Sequence, residues 1–137
     1  GERMKNAFKH SFDKGFKRTV IIGTDSPTLP LSYIQEAFDA LKEVPVTIGP
    51  TFDGGYYLIG LSVQEDDLFD NIEWSTSSVF SQTLARIKTA NKQLSILSPW
   101  YDVDTPDGLE FLRSHLLSMK MSGNEDLPEK TLRFLKI

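Results

Sequence analysis

Short apolar runs alternate with helix-spaced apolar positions along this chain, and the alternation predicts an α/β fold. Met4, Ala7, Phe8, Ser11 and Phe12 recur at helical spacing, with Gly15 placed as a C-cap. Thr19-Val20-Ile21-Ile22-Gly23 is a continuous β-branched run, the pattern of a strand buried on both faces in a parallel sheet. Ser32 and Gln35 have capping-box spacing ahead of a helix whose apolar stripe is Ile34, Phe38 and Leu41. Val44 to Gly49 and Tyr56 to Leu61 read as further strands, separated by an Asp53-Gly54-Gly55 turn. Residues 64–73 are acidic and read as loop. A helix is predicted to open after Ser75-Thr76-Ser77 and run to about Asn91, burying Val79, Leu84 and Ile87. Leu94 to Leu97 is a fourth strand. Thr105-Pro106 marks a helix start, with Thr as N-cap and Pro at the first helical position. Leu109, Leu112 and Leu116 mark that helix's inner face, and Pro128 opens a short terminal helix through Leu132 and Leu135.

Helices between short apolar strands predict a three-layer α/β/α sandwich with a mostly parallel sheet. Ligands of such sheets sit beyond the carboxyl ends of the strands, so the residues just after each strand are the ones to read for chemistry. Asp25 follows the first strand; Asp102 and Asp104 follow the last. If both strands are parallel and central, these carboxylates converge, and converging carboxylates repel unless a cation lies between them. Such hard oxygen ligands suit Mg²⁺ or Mn²⁺. The plainer alternative makes Asp25 a turn cap and Asp102 the lead-in to a helix, with no metal. Asp53-Gly54-Gly55-Tyr56 lets backbone approach a ligand closely, or is simply a hairpin turn. Trp74-Ser75-Thr76-Ser77 offers an aromatic face and hydroxyls to a sugar or anion, or is ordinary capping beside a core tryptophan. His10 and His115 have no partner pattern and read as surface or cap residues.

Composition narrows the classes. The 137 residues, 39% hydrophobic and 25% charged, suit one globular domain. No apolar run can span a bilayer. The absence of cysteine excludes a disulfide frame, a thiol nucleophile and cysteine-bound zinc, and makes a cytoplasmic location the expectation. The net charge of −4 argues against nucleic-acid binding. Residues 1–18 nevertheless hold six basic and two acidic side chains, a patch for phosphates or a plain solvated face. No Walker-type loop, Gly-x-Ser-x-Gly elbow or Gly-x-Gly-x-x-Gly fingerprint supports ATPase or nucleophilic hydrolase chemistry.

Five segments in order carry a resemblance: Gly1-Glu2-Arg3-Met4 with Ala7-Phe8, Ile22 to Pro27, Gly49-Pro50 with Asp53 to Leu61, Trp74 to Ser77, and Asp102 to Pro106. To about residue 113 the chain resembles a bacterial glycosyltransferase-like family of the selenodomain-associated transferase type. That family lies in the GT-A nucleotide-diphospho-sugar transferase superfamily. Molybdenum-cofactor and phospholactate nucleotidyltransferases are similar around Asp25-Ser26-Pro27 and Asp104-Thr105-Pro106. The resemblance implies a Rossmann-like fold with one antiparallel edge. It implies metal ligation by Asp25 and Asp104, with Asp102 assisting, and catalytic roles for Asp25 and Asp53. It also implies a sugar- or acceptor-facing segment from Asp53 through Gly54, Gly55 and Tyr56 to Tyr57, with Trp74, Ser75, Thr76 and Ser77 nearby. Gly108 departs from the family's usual acidic residue.

The family's first strand and basic phosphate-binding loop have no counterpart here. The expectation is therefore a carboxy-terminal half, one domain over 1–137, lacking the nucleotide-binding strands and inactive alone. Its uncovered sheet edge would invite a homodimer or domain swap. The expected function is metal-dependent transfer from a nucleotide-sugar to a small-molecule acceptor. The alternatives are a nucleotidyltransferase acting on a phosphorylated small molecule, or a non-catalytic binding or assembly module.

Overall fold

The computed structural model describes all residues, 1–137, as five α-helices, one 3₁₀ turn and one four-stranded sheet. The helices are α1 (Glu2–Asp13), α2 (Leu31–Ala40), α3 (Val79–Thr89), α4 (Pro106–Met121) and α5 (Glu129–Leu135). The strands are β1 (Thr19–Ile22), β2 (Val46–Pro50), β3 (Tyr56–Leu61) and β4 (Leu94–Ile96), in the order β1-β3-β2-β4.

The sheet is mainly antiparallel, which corrects the mostly parallel expectation. β3 pairs antiparallel with both β1 and β2, and only β2 and β4 pair in parallel. The cause is local. Five residues, 51–55, join β2 to β3, too few for the crossover that a parallel pair requires. The returning strand therefore lies beside β2 and occupies an inner position between β1 and β2. β1 becomes an edge strand, not a central one. Its residues are half-buried or exposed, and Ile22 is 45% exposed. Because β3 alone is reversed, β1, β2 and β4 still point the same way and end at one edge of the sheet.

Each face of the sheet has its own core. On one face Phe8 of α1, Ile87 of α3 and Leu68 and Phe69 of the 3₁₀ turn Asp66–Phe69 cover Val46, Ile48, Ile59 and Leu61. On the other, Ala37 of α2 packs with Tyr57, Leu58 and Leu97. Fully burying one such side chain contributes about 1.5–3 kcal/mol. A β-bulge settles which side chains go where. Gly49 pairs with Leu58 and Pro50 with Tyr56, so Tyr57 is the extra residue. Tyr57 and Leu58 thereby both turn toward α2, while Tyr56 and Ile59 join the opposite core. Gly49 makes room for this, since a Cβ there would lie 2.2 Å from the Tyr57 ring. α4 and α5 form a smaller core of Leu112, Leu116, Leu132 and Leu135.

Several local expectations change. α2 starts at Leu31 with Pro30 as N-cap and no side-chain capping bond, so Ser32 and Gln35 form no capping box. The acidic 64–73 stretch is not all loop, because Leu68 and Phe69 anchor its 3₁₀ turn in the main core. α3 is preceded by Ser78 without a side-chain cap. Thr83 is buried in place of Leu84, its hydroxyl donating to the Val79 carbonyl at 2.8 Å. Ala7, Phe38 and Leu109 are exposed despite their helical spacing. Thr105 does cap α4, accepting from the Gly108 N–H at 3.0 Å. The basic start of the chain is partly neutralised, with Lys5 paired to Asp70 and Lys9 to Asp13. No helix is long and apolar enough to cross a membrane.

Candidate functional site

The common end of β1, β2 and β4 opens into a cavity of about 670 Å³. Its floor is partly apolar, from Ile21, Ile22 and Leu58. Its polar wall comes from the segments that leave the strands. Asp25 leaves β1, Asp53 lies in the β2–β3 turn, and Asp102 and Asp104 follow β4; all four line the cavity.

Three of the four form a cluster. Asp53, Asp102 and Asp104 can each present an oxygen within 4.8 Å of the others. Asp25 faces the same cavity, but its carboxylate is not one of the three. Sequence position brings Asp25 together with Asp102 and Asp104; the structure places Asp53 with the last two, because the hairpin brings its tip beside the β4 exit, and keeps Asp25 on the same cavity. Asp53 is held firmly, accepting hydrogen bonds from the Thr51 hydroxyl and, at 3.0 Å, from the Gly55 N–H. The Thr51 bond leads in holding the Asp53 carboxyl below its usual range. Asp102 moves the other way. Burial pushes its carboxyl up, and the charges of Asp53 and Asp104 add to the effect. The Asp102 segment is tied at two backbone points, Trp100 N–H to the Pro50 carbonyl at 3.1 Å and Val103 N–H to the Asp25 carbonyl at 2.8 Å.

The other candidates divide. Gly55, Tyr56, Trp74, Ser75, Thr76 and Ser77 line the cavity; Gly54 does not. Gly54 instead lies against Ser77, and its carbonyl accepts from the Phe80 N–H at 2.8 Å, which fastens the Asp53 turn to the start of α3. Trp74 both packs on the main core and faces the cavity, so the core and ligand readings coexist. The Thr76 hydroxyl donates to the Glu73 carbonyl at 2.6 Å and is committed to the local turn. Ser75 has a φ of 65°, a left-handed conformation uncommon for serine. Tyr56 reaches the cavity wall with its hydroxyl buried and unpartnered, and burial pushes that phenol up to about 12.

Two features of the site leave no clear local signal in the sequence. The apolar floor reads only as strand core; the edge position of β1 leaves its Ile22 exposed. His115 reads from sequence as a surface or cap residue, yet its Nδ1 lies 2.8 Å from the Tyr101 hydroxyl within an aromatic cluster. Tyr101 and Phe111 meet His115 only through the tertiary packing of α4 on the segment after β4, which leaves no local signal. No lysine or arginine lines the cavity.

Comparison with known proteins is consistent with this architecture. The model of the DUF2064 family, described as an uncharacterized protein conserved in bacteria, matches residues 1–76, and the chain belongs to that family. No curated protein matches it. A crystal structure of a "putative nucleotide-diphospho-sugar transferase" from Desulfovibrio desulfuricans G20 is similar at 37% identity and a TM-score of 0.79. The similarity covers 91% of this chain and 52% of the Desulfovibrio chain, so this chain spans about half the length of that relative.

Proposed function

We propose that these residues form the carboxylate-bearing portion of a nucleotide-sugar-dependent glycosyltransferase that works with Mg²⁺ or Mn²⁺. The observation that carries the reading is the Asp53–Asp102–Asp104 cluster, drawn together at the strand ends beside a cavity with an aromatic wall. The donor set fits a hard divalent cation: three carboxylate oxygens, close enough that the charges of Asp53 and Asp104 help push Asp102 up. When bound, such an ion stabilises negative charge developing on a leaving diphosphate. Thr51 and Gly55 fix Asp53 so that it meets its ligand with little reorganisation. Trp74 offers a face for the apolar side of a sugar ring, with the Ser75 and Ser77 hydroxyls beside it for hydrogen bonds. In this reading Asp25, which lines the cavity at the β1 exit, accepts from an acceptor hydroxyl.

The cavity's lack of basic side chains supports a division of labour. One divalent cation offsets only part of the charge of four carboxylates, so basic groups outside these 137 residues would complete the donor pocket. In this reading the chain corresponds to the carboxy-terminal half of a selenodomain-associated type transferase and is inactive by itself.

Calorimetric titration of Mn²⁺ tests the site. Saturable binding that is lost in Asp53→Asn and Asp104→Asn is the expected result; absence of binding in the wild type counts against it. With a nucleotide-sugar and the complete enzyme, glycosyl transfer releases a nucleoside diphosphate. Release of pyrophosphate would show nucleotidyl transfer instead.

A further inference from the structure

The segment carrying Asp102 and Asp104 has no regular secondary structure between β4 and α4, so something else must set where its carboxylates stand. Its backbone ties bracket Tyr101, and the Tyr101 side chain supplies a third hold. The Thr28 hydroxyl, 6% exposed, donates to the Tyr101 oxygen at 2.6 Å. The Tyr101 hydroxyl is then free to donate to His115 Nδ1, 2.8 Å away. Thr28 belongs to the β1–α2 connection and His115 to α4, so this relay joins two separate elements through the residue next to Asp102. Phe111 meets the Tyr101 ring edge-on at 4.9 Å and Trp100 stacks beside it at 5.7 Å, which fixes the plane of the phenol.

We infer that Tyr101 is a positioning residue for the carboxylate cluster, acting through Asp102 and held by the Thr28–Tyr101–His115 relay. The inference rests on the cation-site reading above. The relay leaves the cavity-facing carboxylates untouched and restricts how far Asp102 can retreat from Asp53 and Asp104. Because the three repel one another, a loosened segment relaxes outward and the cluster opens. No member of the relay bonds to a carboxylate of the cluster, so its loss acts through the placement of the backbone and weakens the site less than loss of a direct outer-shell partner, which costs about 10- to 100-fold.

The test is a Mn²⁺ titration of the wild-type chain and of Tyr101→Phe, Thr28→Val, His115→Leu and His115→Asn, each with a thermal melt. Tyr101→Phe keeps the ring and its aromatic packing and loses only the hydroxyl. Asparagine at 115 supplies an amide oxygen near the place of Nδ1; leucine supplies no acceptor. The expected result is a Kd raised by up to about tenfold, the lower end for a direct partner, in Tyr101→Phe, Thr28→Val and His115→Leu, with recovery in His115→Asn. Because Thr28→Val cuts the relay at its other end, the test survives if one variant fails to fold. Unchanged Kd in the folded variants, even with lowered melting temperatures, overturns the inference and leaves the cation site standing. Absence of binding in the wild type overturns both.

Discussion

Gly54 packs so closely on Ser77 that a Cβ at position 54 would fall 2.1 Å from the Ser77 carbonyl oxygen. The φ of Gly54 is +91°, so the position is closed to other residues twice over, by conformation and by space. Gly54→Ala is expected to cost about 1–2 kcal/mol from the backbone alone. The clash with backbone atoms adds to that. Urea denaturation should show the lowered midpoint, and the same variant should bind Mn²⁺ more weakly because Asp53 moves with its turn.

Asp102 gives the protein a pH dependence whose sign can be worked out. Its folded-state carboxyl is raised above the ordinary aspartate value of 3.8, so the folded state holds the proton more tightly than the unfolded chain does. Stability from this group is therefore fully present below pH 3.8 and is lost as pH rises through the raised value. Asp53, held low, works the opposite way and loses its contribution as pH falls. Without divalent cation, Asp102→Asn is expected to melt higher than the wild type at pH 7, with the gap closing in acid. Saturating Mn²⁺ should raise the wild-type melting temperature and leave Asp102→Asn nearly unmoved. Differential scanning fluorimetry across pH, with and without Mn²⁺, reads both effects.

The Tyr57 hydroxyl donates to the Ser98 carbonyl at 2.9 Å, fastening the bulge in β3 to the segment after β4. Tyr57→Phe should lower stability by about 1 kcal/mol, the ordinary worth of one such bond. Gly49→Ala pushes directly into the Tyr57 ring and should cost about 1–3 kcal/mol as overpacking. The pair of variants should be non-additive in chemical denaturation, because both act on one ring.

β1 leaves one edge of the sheet unpaired, and that edge carries the exposed Ile22. Self-association that grows with concentration is expected for this chain, and Ile22→Lys should reduce it. Light scattering that gives a monomer mass throughout the micromolar range would refute the expectation.

Much of the fold is written in local signals. Thr105-Pro106 starts α4 because its cap needs only neighbours three residues away. The Asp53-Gly54-Gly55 turn likewise joins β2 and β3 as a hairpin. Strand order is different in kind. Nothing within Thr19–Ile22 records that β3 will come back beside it and leave it at the edge, since that depends on partners some 40 residues away. Charge hides burial in the same way at Leu68 and Phe69, two apolar residues inside an acidic run. For the site, position just after a strand singles out Asp25, Asp102 and Asp104, while the hairpin geometry that seats Asp53 with the last two is a tertiary fact.

The extra residue in β3 joins two tasks that a regular strand would keep on opposite faces. In an even pleat, Tyr56 would point away from Ile59 and Leu61. Tyr57 breaks that alternation at a single position, so Tyr56 packs with the interior that holds Ile59 and Leu61 and also reaches the cavity wall. A lineage carrying this kink cannot revise what its cavity admits at Tyr56 without renegotiating the interior that keeps the domain folded.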